Sequence, residues 1–270
     1  MIQLACECPH SYLRTHGNLL DYEFCLTHMA EQNESYFNFY KEQNAKGRLT
    51  ILDNSVFELG VPVEPERIMK VYAQFPKPEN VVVVCPDVFN DGAKTLLQAK
   101  EFSTQVGPSV RKMAVAQGTT WEEWLNCYEA LANDSDIEIM GVTYDATYLS
   151  DPGRDLSKTQ NQMITRIRLF EKLEILGSLV DKHHHLLGTS DPIELFYQSE
   201  CKQIRTCDTS FPFVQAIKGK QLRANGLNIR ENKEKRPDNY FDLPHDPKVA
   251  AIASYNIGQM QLFALGGRDD

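Results

Sequence analysis

Eight short apolar runs, each followed by a longer amphipathic stretch, predict an α/β protein: a (β/α)8 barrel in a single domain over residues 1–270. Three observations carry that reading. Strand-like and helix-like segments alternate along the whole chain. Continuous apolar runs such as Val81-Val82-Val83-Val84 suit parallel strands covered on both faces. The repeating part fills about 250 residues, the size such a barrel needs. A doubly wound open sheet is the alternative, because alternation is common to both.

The elements follow in order. The first strand is read at Ile2–Cys6 and the second at Tyr22–Leu26, with room for loop and helix decoration in the first 48 residues. A helix over 28–44 leads to a strand at Leu49–Leu52. A helix over 64–75 precedes the valine run, Asn80–Cys85. After a helix over 91–105 comes Lys112–Ala116. The next helix, 120–132, opens with Thr119-Thr120 before Trp121-Glu122-Glu123, a capping hydroxyl followed by acids at the positive end of the helix dipole. Trp121 and Trp124, three apart, serve packing on that helix. Ile137–Val142 and a helix over 157–176 follow, then His184–Leu187. Asp191-Pro192 starts a helix over 191–199 with a capping acid and proline in the first turn. Gln203–Cys207 is the last strand. A helix over 209–218, an insertion near 219–245 rich in Gly, Asn, Pro and charge, and a final helix over 247–265 complete the chain.

The composition is that of a globular protein: 42% hydrophobic, 24% charged and a net charge of −9. No apolar run is long enough to cross a membrane, and the start of the chain shows no secretory signal. Seven cysteines, most of them in or beside apolar runs, predict reduced thiols in a cytoplasmic protein. From Lys218 to Arg236, seven basic residues outnumber two acidic ones, so this segment carries +5 and the rest of the chain −14. Its two readings are a solvated loop and a phosphate-contacting patch. The sequence contains neither a phosphate-binding loop motif, nor a dinucleotide-binding glycine motif, nor the Gly-x-Ser-x-Gly of a serine hydrolase.

Polar residues recur where the strands end. Asp53 follows Leu49–Leu52, Asp87 follows the valines, Gln117 follows Met113-Ala114-Val115-Ala116, and Thr143-Tyr144, Gly188 and Asp208 follow the later strands. In a (β/α)8 barrel the C-terminal strand ends meet on the rim that carries active sites, so these residues predict one shared polar site. Any one aspartate alone reads as a helix cap.

The collinear set Asp53-Asn54-Ser55-Val56-Phe57, Pro86-Asp87, Val115-Ala116-Gln117-Gly118, Met140-Gly141-Val142, His185-Leu186-Leu187-Gly188 and Cys207-Asp208 resembles the tRNA-guanine transglycosylase superfamily, which includes enzymes that insert 7-deazaguanines into DNA. The resemblance spans about residues 49–215. It implies a (β/α)8 barrel in which Asp208 is the nucleophile and Asp53 the proton-transferring acid. Phe57 would stack on the base, and Asp87 and Gln117 would read its guanine edge. At Gly141 the backbone would approach the base, with Ser55 also beside it. Two departures stand out. The Cys-x-Cys-x-x-Cys zinc site of the tRNA-acting members has no counterpart after Cys207, and Cys6-Glu7-Cys8 lies at the wrong end, so no metal is expected. The two glycines between the family's first Asp and its Phe are replaced by Ser55 and Val56.

The chemistry suits these residue types independently of any family. Cleavage of an N-glycosidic bond builds positive charge on the sugar, which a carboxylate can trap as an ester. A second acid protonates the departing base and deprotonates the incoming one. Guanine offers N1–H and an amine to a carboxylate and an amide, and an aromatic face adds stacking of roughly 1–3 kcal/mol. A base inside a duplex must first be flipped out. His183-His184-His185 places at most two imidazoles on one strand face, so hydrogen bonding is preferred to metal binding there.

The expected function is therefore exchange of guanine for a 7-deazaguanine in nucleic acid, DNA before tRNA, through a covalent aspartyl intermediate and without a cofactor. Lys218, Lys220, Arg223 and Arg230 are the expected phosphate contacts. One alternative is a barrel N-glycosidase or phosphoribosyl-type enzyme for a free nucleoside or nucleotide, and a second is a non-catalytic base-binding protein.

Overall fold

A computed structural model describes residues 1–146, 149, 155–189, 191–227 and 230–266. Residues 228 and 229 of the expected insertion lie outside the described residues. Eight strands are present: β1 (Gln3–Cys6), β2 (Glu23–Leu26), β3 (Thr50–Asp53), β4 (Val81–Val84), β5 (Arg111–Val115), β6 (Ile139–Val142), β7 (His183–Leu186) and β8 (Ile204–Thr209). They form one sheet in the order β1-β8-β7-β6-β5-β4-β3-β2. With helices interleaved between parallel strands, this is the nearly closed (β/α)8 barrel that the alternation predicts. The chain divides into two compact units: Tyr22–Val142 with Val180–His184, and Met1–Asp21 with Thr143–Leu179 and His185–Asp270.

In the first of these units, β2 to β5 pair in parallel, and β5 pairs with β6 in register Val115 opposite Gly141. All four valines of β4 are buried, at about 1.5–3 kcal/mol for each fully buried side chain. Caps define the helix starts. Asp91 accepts from Lys94 N at 2.9 Å before helix Gly92–Val106, and Thr120 accepts from Glu123 N at 3.2 Å before helix Trp121–Ala132. Trp124 is buried, stacks on Tyr128 with centroids 5.0 Å apart, and donates its indole N–H to Ala116 O at 3.1 Å.

The helix expected over 28–44 is two helices, Thr27–Gln32 and Glu34–Ala45. The break is Asn33, whose backbone is extended and whose side chain accepts from Tyr36 N at 3.0 Å. The capping bond outweighs continuation of the helix through this residue.

The other unit pairs β1 with β8, Ala5 opposite Asp208. Its helices Lys158–Leu176, Pro192–Gln198 and Pro247–Leu265 are capped by Ser157, Asp191 and Asp246. Arg166, 1% exposed, grips Glu194 with two hydrogen bonds of 2.5 and 2.8 Å and donates to Leu187 O at 2.6 Å. That fork satisfies both charges where water cannot.

Among its described residues the expected insertion is irregular apart from a short turn at Tyr240–Asp242, and it is tied down at several points. Asp191 accepts from Leu227 N at 3.1 Å, from the Gln160 amide at 2.6 Å and from Ile193 N at 3.1 Å. Leu222 N bonds Asn256, Ser157 Oγ bonds Glu231 O, and Arg236 reaches Glu7 at 2.6 Å. No helix among the described residues is long and apolar enough to cross a membrane.

Candidate active site

Two groups of strand-end residues, one in each unit, hold most of the residues expected at the site. The first begins at Asp53, the last residue of β3 rather than the residue after it, 8% exposed. Its Oδ1 accepts from Ser55 N at 2.6 Å. That bond needs a tight turn, and Ser55 supplies it with φ of 60°, in the left-handed region that costs a side-chain-bearing residue of order 1–2 kcal/mol. Ser55 Oγ also accepts from His28 N at 3.2 Å. Serine thus holds a backbone shape that a glycine would adopt freely.

Asn54, fully buried, extends the group. Its amide donates to Asp87 Oδ1 at 2.6 Å and to Cys85 O at 2.7 Å, while its oxygen accepts from Val56 N at 3.0 Å. Asp87 Oδ2 accepts from Gln117 Nε2 at 2.6 Å. Three successive strand ends therefore deliver an Asn54–Asp87–Gln117 array. Burial pushes the Asp87 carboxyl up to about 6, against the opposing pull of its two amide partners. Phe57 stands 55% exposed on the short helix Val56–Leu59 that follows, a large aromatic face in water. Gly141 lies buried within β6.

Gly118 shows why Gln117 is followed by glycine. A Cβ there would lie 2.5 Å from Trp124 N, inside the backbone of the next helix. The absent side chain lets the chain turn hard against that helix just after Gln117.

The second group centres on Asp208, in β8 and 4% exposed. Its Oδ1 accepts from His185 Nε2 at 3.0 Å and from Gly188 N at 3.1 Å. His185, fully buried in β7, meets Thr206 Oγ1 through Nδ1 at 2.8 Å. Gly188 has φ of 64°, and a Cβ there would come 3.0 Å from the Tyr144 ring. Above that ring, 4.6 Å from its centroid, sits Lys233 Nζ. Burial is the largest cause lowering the Lys233 ammonium from its ordinary value; Arg166 and Arg236 add to this, while Glu194 and Asp208 oppose it.

The expected phosphate contacts have partners within the same unit. Lys220 pairs with Glu234, Arg223 with Glu231 at 3.3 Å and Arg230 with Asp155 at 2.8 Å, while Lys218 is exposed. His184 of the same strand is engaged in hydrogen bonding: it meets Tyr128 Oη at 2.8 Å and Lys182 O at 2.9 Å. Among the described residues no three His, Cys, Asp or Glu side chains group to hold a metal ion.

The structure thus joins Asp87 to Gln117 directly and Asp53 to Ser55 across one turn. Sequence reasoning missed Asn54 and the coupling of His185 to Asp208. Asn54 was open to discovery, because an amide directly after a strand-end aspartate carries both donor and acceptor. The His185 contact was not, because it depends on strand register. No protein-family model matches the chain, and none of the curated proteins does.

Proposed function

We propose that this barrel breaks an N-glycosidic bond in nucleic acid and replaces guanine with a 7-deazaguanine base. The observation that supports this most is the Asn54–Asp87–Gln117 array; exposed Phe57 follows three residues after Asn54. A buried carboxylate flanked by two amides suits the N1–H and amine edge of guanine. Asp208 is the proposed nucleophile. Its carboxylate oxygen bonds to C1′ as the bond from C1′ to the base nitrogen breaks, and the electron pair leaves with the base. Asp53 gives the departing base its proton and takes one from the incoming base. The new base nitrogen then attacks C1′ and releases Asp208 as carboxylate. DNA is preferred to tRNA as substrate on the sequence reading, and the chemistry asks both acids to reach one nucleotide.

One observation favours a second reading, a barrel enzyme for a free nucleoside or nucleotide. Three of the four cations expected to meet a polyanion are already paired with carboxylates of the chain. The two readings separate on incubation with labelled guanine or a 7-deazaguanine and, in turn, DNA, tRNA and nucleosides. Label entering polymer, with binding that weakens steeply as salt rises, supports the first. Base release or exchange on the free nucleoside alone supports the second, and no reaction with any of them refutes both.

A further inference from the structure

We propose that His185 is a positioning residue that fixes Asp208 so that Oδ2, not Oδ1, attacks the sugar. The proposal rests on the reading of Asp208 as nucleophile. Oδ1 holds two donors, His185 Nε2 at 3.0 Å and Gly188 N at 3.1 Å. Oδ2 accepts no hydrogen bond from the described residues, so its lone pairs are the ones available to carbon.

The geometry also sets the tautomer. An ionised carboxylate oxygen only accepts, so Nε2 must carry a hydrogen. In the neutral ring Nδ1 is then the acceptor, and the Thr206 hydroxyl donates to it at 2.8 Å. Thr206 and Asp208 are two apart on β8 and therefore face the same side of the strand. The imidazole, fully buried, spans that interval and joins both side chains. It cannot turn without losing its bond to Asp208 or to Thr206.

The same two donors act in both halves of the reaction. While Oδ2 attacks, they hold the plane of the carboxylate. In the ester Oδ1 becomes the carbonyl oxygen, and both N–H groups keep donating to it. When the second base displaces the ester, charge returns to the carboxylate and the bonds strengthen, which eases departure of Asp208.

Two measurements test this. In the ¹⁵N spectrum of the imidazole rings of the free protein, His185 is expected to show the Nε2–H tautomer; an Nδ1–H tautomer would overturn the proposal whatever the activity. In trapping experiments with DNA or tRNA, His185→Leu is expected to slow adduct formation and kcat by about 10- to 100-fold with KM within about 2-fold. His185→Gln, which keeps an amide N–H, is expected to recover part of the loss. Equal trapping rates in wild type and His185→Leu sink the role of His185 and leave Asp208 as nucleophile. Failure of the wild type to trap any adduct sinks the nucleophile itself, and the positioning role with it.

Discussion

Gln117 Nε2 donates to Oδ2 of Asp87 at 2.6 Å, and the other carboxylate oxygen accepts from Asn54 at 2.6 Å, one donor on each oxygen. The bonds come from neutral amides, so they satisfy the charge without cancelling it. Burial wins, and the folded carboxyl titrates at about 6 rather than at the usual 3.8. A carboxyl with a raised folded value binds its proton more tightly folded than unfolded. Its contribution to stability is therefore greatest below about pH 4 and is lost as pH rises through 6, by roughly 2–3 kcal/mol. Denaturant unfolding of wild type and Asp87→Asn at pH 4.5 and 7.5 checks this. The variant is expected to lose the part of the pH dependence due to Asp87, and identical dependence in both chains would refute the assignment.

On the proposed reading the same titration governs ligand. Ionised Asp87 would accept from guanine N1–H and amine, so base affinity is expected to rise with pH through about 6. Calorimetric titration with guanine across that range reads it directly, and a flat profile removes Asp87 from the recognition edge.

Phe57 is 55% exposed. Phe57→Ala is expected to weaken base binding by about 1–3 kcal/mol while leaving the melting temperature unchanged. A drop in melting temperature with affinity intact would assign the ring to structure instead.

Asp208→Asn keeps the shape but removes the charge proposed to attack carbon. Adduct formation is expected to disappear and turnover to fall by about 10³-fold or more. Mass spectrometry of the protein after incubation with nucleic acid distinguishes the two chains, and an adduct in the variant would move the nucleophile elsewhere.

The Arg166–Glu194 pair is buried at 1% exposure on both sides. Glu194→Ala strands a guanidinium in the interior and is expected to cost roughly 3–5 kcal/mol, read by urea unfolding. Arg166→Met combined with Glu194→Leu is expected to recover much of that loss. A double variant as unstable as the single one would show that the fork's specific geometry, not charge burial, carries the effect.

The fold was legible because strand-like and helix-like segments alternate along the chain. Val81 to Val84, an uninterrupted β-branched run of strand length, is the plainest of its strands and is buried on both faces. The site was legible only in outline. Asp53, Asp87, Gln117 and Asp208 announce themselves as polar residues at strand ends, but Asp53 and Asp208 turn out to be strand residues, and no local pattern marks that difference. The helix break at Asn33 was visible in composition yet not decisive, because asparagine tolerates both interior and cap positions. His185 depends on which residue of β8 faces it, and register is a property of the whole sheet. The pairing within the basic segment was within reach, since Glu231 and Glu234 lie among the cations they neutralise.

Asp191 fastens the region around Leu227 to the starts of two helices through a single buried carboxylate. A stretch whose composition suggests a loose tether is thereby anchored before any visitor arrives. Ordering the stretch at Leu227 then costs a ligand less than ordering a free loop would.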